Sequence, residues 1–354
     1  DAEFSRSRVP LRTGRFYGPA VNQQATPGAK IQTWSNNTIV PSSQGSATSS
    51  DYAFTHWQYV DTVCGWGVGG GLFCIPQAHL IDAAHRNGVP VTALIGYPTG
   101  GSEDGKQEFN EMVQQDSEGN FPVADKMAEV AYYYGFDGYV YNQEMSGLSY
   151  SGVAKLRDFH IYFRKKYPNL IFNWYDSMTY STGGVSYQNG VSRNNIGWVR
   201  SFNKFSESDI NKLRMQGLGR PYLMDDIFTN YNFGAAEVNQ SVNLMRSNDR
   251  SPFDAYHAFE LQQYSWVKPK PGHPTGFQSL LDSNNKLKTS IGFFCADSTL
   301  NLSTDLESFH DIETKFWTTS TEDPRLEPRA PRNNIYEDKW AGMASLINDR
   351  SIIN

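Results

Sequence analysis

The stretch Phe136-Asp137-Gly138-Tyr139-Val140-Tyr141-Asn142-Gln143-Glu144 decides the fold. Side chains alternate faces along a strand, so Gly138, Val140, Asn142 and Glu144 share one face and Tyr139, Tyr141 and Gln143 the other. The strand therefore ends with an amide beside a carboxyl. Phe121 to Tyr134, upstream, has Val123, Met127 and Val130 on one helical stripe, and Val153 to Tyr167, downstream, reads as a second amphipathic helix. Helix, strand, helix with a polar pair at the strand's C-terminal end is the pattern of a parallel α/β barrel, whose catalytic groups sit at that end.

Further strands are expected at Phe54 to Val60, Val89 to Gly96, Leu170 to Tyr175, Ile227 to Asn232, Phe253 to Gln262 and Ser290 to Ala296. Together with the central run they make seven, and one more closes a (β/α)8 TIM barrel. Residues 1–50 are rich in Ser, Thr, Gln, Asn, Gly and Pro and read as an extended N-terminal segment, which puts the barrel at 51–328. Arg193 to Leu223 either hides a strand or carries an extended loop. Thr321 to Asn334 is a charged, Pro-rich linker, and 329–354 reads as that linker leading into a further, β-rich domain.

With 354 residues, 39% of them hydrophobic, the chain can bury a full core. A net charge of -6 without a dense basic run gives no footprint for nucleic acid or an anionic membrane, and no stretch is long enough to span a bilayer. Cys64, Cys74 and Cys295 leave at least one cysteine unpaired, and neither they nor the seven histidines show metal-ligand spacing, so no metal and no cofactor are expected. Aromatic residues, 14% of the chain, often stand beside Asn, Gln, Ser or Gly, which suits sugar rings as well as core filling. An amide next to a carboxyl fits sugar chemistry in which the carboxyl protonates the leaving oxygen and the amide holds the substrate's own acetamido group as nucleophile. The plainer reading is a pair that caps its loop.

Seven separate segments resemble glycoside hydrolase family 85, the endo-β-N-acetylglucosaminidases, and within it the bacterial D-type branch. They are His56 to Asp61, Asp82 to Val91, Phe136 to Glu144, Trp174 to Thr179, Tyr187 to Gly190, Phe228 to Asn232 and Glu260 to Gln263. The resemblance runs from Tyr52 to Pro324 in the family's order. It implies retaining cleavage of the bond between the two N-acetylglucosamines of an N-glycan core through an oxazoline, with transglycosylation as a secondary activity. Glu144 is then the general acid and base, Asn142 orients the acetamido group, and Tyr175 reaches the same end of the site.

For sugar binding the candidates are Trp57, Trp66, Tyr187, Gln188, Asn230 and Glu260, with Asp176 left between binding sugar and orienting a neighbour. Tyr187 departs from the family, which carries Trp or His there, as does the run Leu94 to Gly101. The implied partners are N-linked glycans and glycoproteins, met by a monomer. The expected location is extracellular or cell-surface, with a leader removed ahead of Asp1, and cytoplasmic as the alternative. Two rivals stand beside this reading. One is a family 18-like chitinase or endoglycosidase, which places acidic residues where this chain has Val140 and Asn142. The other is a non-catalytic N-glycan-binding barrel.

Overall fold

The computed structural model describes residues 2–15, 22–35, 54–65, 73–96, 102–261, 277–301, 303–318 and 342–350. Its strands are β1 (Ile31–Ser35), β2 (Thr62–Gly65), β3 (Phe73–Cys74), β4 (Val91–Gly96), β5 (Gly138–Asn142), β6 (Ile171–Tyr175), β7 (Asp226–Phe228), β8 (Ala255–Glu260) and β9 (Ser290–Phe294). All but β3 run parallel, in the ring β1-β2-β4-β5-β6-β7-β8-β9 and back to β1, and β3 adds antiparallel to β4. The expected eight-stranded (β/α)8 barrel is therefore present. Helices α1 (Ala78–Arg86), α2 (Glu103–Met112), α3 (Pro122–Tyr134), α4 (Tyr150–Lys166), α5 (Ile196–Val199), α6 (Glu207–Lys212), α7 (Ala235–Ser247), α8 (Ser298–Asn301) and α9 (Leu306–Trp317) fill the connections.

Strand alternation sorts the apolar residues into two cores. Trp34, Cys64, Leu94, Val140, Tyr175, Phe228, Tyr256 and Ala258 form the cluster inside the ring. Tyr139, Tyr141, Phe172, Trp174, Ile227 and Phe293, one residue out of phase, join the larger cluster between strands and helices. Each such fully buried side chain contributes roughly 1.5–3 kcal/mol. The helix before β5 starts at Pro122 and stops at Gly135, whose φ of 83° ends it in a left-handed cap. Gly138 opens β5 because a Cβ there would lie 2.1 Å from the Ile171 carbonyl oxygen.

Two expectations need correction. The barrel's first strand lies at Ile31–Ser35, inside the segment expected to be merely extended, so the boundary at residue 50 fails. Gln32 and Thr33 made that strand look like loop, yet Gln32 is buried, donating to Asp226 Oδ2 at 3.2 Å and accepting from Trp34 Nε1 at 3.0 Å. The strand expected at Phe54 to Val60 is a 3-10 turn, Trp57–Tyr59, with β2 starting three residues after it. Residues 342–350 of the tail pack against the barrel. Met343, Ala344, Leu346 and Ile347 belong to the barrel's outer core, and Arg350 donates to the carbonyls of Pro27 and Ala29. The linker itself, 321–334, lies outside the described residues.

Candidate active site

Strand β5 delivers Asn142 to the rim of the barrel on the same face as buried Val140, and Glu144 follows just beyond the strand. Both are half-buried. Between them Gln143 points away and is buried, its side chain bonding to the Met145 carbonyl at 3.1 Å while the Ser177 hydroxyl donates to its own carbonyl. This locks the turn that aims Glu144. Asn142 Nδ2 donates to Glu144 Oε2 at 3.0 Å, and the Tyr187 hydroxyl donates to Glu144 Oε1 at 2.9 Å. The carboxyl is thus held by two neutral groups, one on each oxygen.

Tyr175, at the end of β6, is buried, with its ring 5.9 Å from Trp34 and 6.4 Å from Tyr187. Its hydroxyl donates to Asn230 Oδ1 at 3.0 Å, and Asn230 Nδ2 donates in turn to Asn189 Oδ1 at 2.8 Å. Burial holds the Tyr175 phenol well above its usual range, so it stays a donor. Trp34 stacks on Phe228 at 4.0 Å beneath this cluster and forms the floor of the mouth.

Asp176 follows directly after β6. It is fully buried, and its Oδ2 accepts the backbone N–H groups of Gly190 at 3.1 Å and Asn230 at 2.9 Å. Burial pushes its carboxyl up to about 7, against the pull of the amides of Asn230, Gly190, Gln188 and Asn189. One carboxyl thereby ties the 186–190 loop to the end of β7. Asn189 completes the tie in a left-handed conformation, φ 55°, its Oδ1 also accepting the Asn232 N–H at 3.1 Å.

The remaining candidates divide. Asn230 sits at the mouth. Glu260 ends β8 on the inner face, half-buried, and its charge, like that of Glu144, acts on the Tyr231 phenol. Gln188 is half-buried and bonds within its own loop, donating to the Ser186 carbonyl at 2.7 Å and accepting from Ser192 at 2.8 Å. Trp57 does not sit where expected. It precedes β2, so it lies at the end of the barrel opposite the mouth, buried edge-on against Phe54 at 4.8 Å. Trp66 lies outside the described residues.

Sequence reasoning missed Trp34, Asn189 and Tyr231. The Asn189-Gly190 dipeptide was the available signal for the first loop residue, as such pairs favour left-handed turns. Among the described residues no group of three or more His, Cys, Asp or Glu can hold a metal ion, and no helix is long and apolar enough to cross a membrane.

The sequence model of glycosyl hydrolase family 85 matches residues 35–354. Among solved structures, the glycoside hydrolase domain of Endo-D from Streptococcus pneumoniae R6 is 30% identical with a TM-score of 0.81, over 99% of this chain and 51% of that one. The cytosolic endo-β-N-acetylglucosaminidases of Gallus gallus and Homo sapiens are 29% and 27% identical over 59% and 58% of this chain. These matches span 30% and 29% of the two relatives' own lengths.

Proposed function

The chain belongs to glycosyl hydrolase family 85, and from that membership we propose that it cleaves the GlcNAc-β1,4-GlcNAc bond of N-glycan cores by a retaining, substrate-assisted route. The observation that carries this reading is the Asn142–Glu144 pair at the barrel mouth, an amide and a carboxyl 3.0 Å apart on the substrate side. It outweighs the loop-cap reading because the intervening turn is already secured by Gln143 and Ser177, which leaves the pair free for a ligand.

In the first step protonated Glu144 gives its proton to the bridging oxygen while the acetamido oxygen of the substrate bonds to the anomeric carbon. The Asn142 amide leaves Glu144 and accepts the acetamido N–H through its oxygen, stabilising the positive charge that develops there. Tyr175, a buried donor fixed by Asn230, closes the acetamido end. In the second step Glu144, now a carboxylate, takes a proton from water as the water oxygen opens the oxazoline with net retention. A sugar hydroxyl in place of water completes transglycosylation. General acid catalysis contributes about 10² to 10⁴ in rate, roughly 3 to 5 kcal/mol, and a nucleophile carried by the substrate adds effective molarity.

The test is mass spectrometry of a high-mannose glycoprotein after treatment. Wild type is expected to leave one N-acetylglucosamine on each asparagine, and Glu144→Gln none of that product, with unchanged folding. Asn142→Ala is expected to lose cleavage of the intact glycan yet still use a preformed sugar oxazoline. Full activity of either variant on the intact glycan refutes the assignment, and binding without mass loss by wild type supports the non-catalytic barrel instead. For compartment we keep the extracellular or cell-surface expectation, with the cytosol named for the relatives as the alternative; fractionation of producing cells separates them.

A further inference from the structure

Glu144 accepts a hydrogen bond on each oxygen, and the reading above uses one of the donors, Asn142. The other, Tyr187, comes from 43 residues away in sequence. Its ring is 44% exposed, but its backbone is built in: Ser186 N–H donates to the Ser177 carbonyl at 2.8 Å, Gly190 N–H to Asp176, and Asn189 is tied to Asn230 and Asn232. A fixed base with a half-exposed tip places a phenol on a carboxyl and still lets it swing aside. Burial, then the hydrogen bond and charge of Glu144, push the phenol up to about 12, so it keeps its proton across the working range.

A donor on a carboxylate favours the ionised form over the acid. Resting on the reading of Asn142 and Glu144 as the catalytic pair, we propose that Tyr187 is a positioning residue that sets the protonation balance of Glu144. It holds the carboxylate between turnovers and through the oxazoline stage, and gives up Oε1 when the acid reloads. The proton that Glu144 gives to the bridging oxygen in the first step is regained from water in the second, and the Tyr187 proton is never transferred. Among the described residues, the other titratable groups coupled to Glu144 by charge are Tyr175 from β6 and Tyr231 beyond β7, with Asp176 acting on both phenols and Glu260 on that of Tyr231. All of them remain in a Tyr187→Phe variant, so that change isolates one hydroxyl.

The experiment compares wild type and Tyr187→Phe in two ways. The first is the pH profile of kcat/KM for glycan release, whose alkaline limb reports the acid of the free enzyme. It is expected to move up by roughly half to one pH unit, the discounted worth of one hydrogen bond to a charged group. The second is the carboxyl titration of Glu144 in ¹³C-glutamate-labelled protein without substrate, assigned through Glu144→Gln and expected to move by the same amount. Superposed titration midpoints overturn the proposal, as does a fall in kcat/KM at every pH with the limb unmoved, which is what a merely structural role would produce. If wild type cleaves no glycan, the functional reading fails while the carboxyl titration still decides the Tyr187–Glu144 coupling.

Discussion

Replacing Asp226 with Asn is expected to stabilise the protein, and increasingly so as pH rises. Asp226 sits inside the barrel at the start of β7, below the catalytic rim, where its Oδ2 accepts from Asn173 Nδ2 at 2.7 Å and from Gln32 Nε2 at 3.2 Å. Burial, followed by the charge of Asp225, raises its carboxyl from 3.8 to about 8, against the hydrogen bond of Asn173 and the charge of Lys30. The folded state therefore binds a proton that the unfolded chain releases, so stability is highest below pH 3.8 and is lost as pH climbs toward 8. At 1.36 kcal/mol per unit, the ionisation penalty grows by about 3 kcal/mol between pH 4.5 and 7 and levels off near 6 above pH 8.

An Asn side chain escapes that penalty. Its oxygen accepts the same two donors, and its NH₂ occupies the place of Asp226 Oδ1, which has no hydrogen-bond partner among the described residues. The assay is denaturant unfolding of wild type and Asp226→Asn at pH 4.5, 6, 7 and 8.5. The stability difference should open in favour of the variant by about 3 kcal/mol from pH 4.5 to 7. Parallel curves, or wild type gaining on the variant as pH rises, would show that the carboxyl is not held neutral by the barrel.

Two further outcomes follow from buried titratable groups. Asp176→Leu leaves the N–H groups of Gly190 and Asn230 without their acceptor, costing about 1–3 kcal/mol each, and should lower both the unfolding midpoint and glycan release. Asp176→Asn keeps an acceptor oxygen and should stay near wild type; equal behaviour of the two variants would refute the clamp. His85 bonds the Val9 carbonyl at 2.6 Å through one nitrogen and Asp137 at 2.8 Å through the other. Burial alone lowers its pKa, but the hydrogen bond and charge of Asp137, then Val9 and Asp82, raise it above 6.5 overall. Its contribution is complete below pH 6.5 and is lost as pH rises through the raised value, so His85→Leu should remove that part of the slope in a pH series of unfolding free energies; an unchanged slope would sink the assignment.

The barrel was legible because most of its strands after the first two read as short, largely apolar runs set among helical stretches. Leu170 to Tyr175 and Ser290 to Ala296 are apolar enough to be read from composition alone. Ile31–Ser35 was not, since polar side chains buried by mutual hydrogen bonds have the composition of a loop. Trp57 misled for the converse reason: an aromatic residue before a strand and one after it look alike in sequence, and the position of β2 decides which end of the barrel it occupies. Asp176 was left between two roles, and the backbone amides that surround it come from two loops that meet in the folded chain.

By itself the sequence determined that Asn142 and Glu144 share a face at a strand's end, because two residues of extended backbone bring side chains to the same side whatever lies around them. It also determined the family, through motifs spread in order along the chain. The partners of that pair were decided by tertiary structure. Closure of the ring through β1 put Trp34 under the mouth, and the grip of Asp176 on Gly190 carried Tyr187 onto Glu144. Local periodicity fixes the face a side chain takes, but contacts between residues tens of positions apart depend on how strands register and which loop backbones find a buried acceptor.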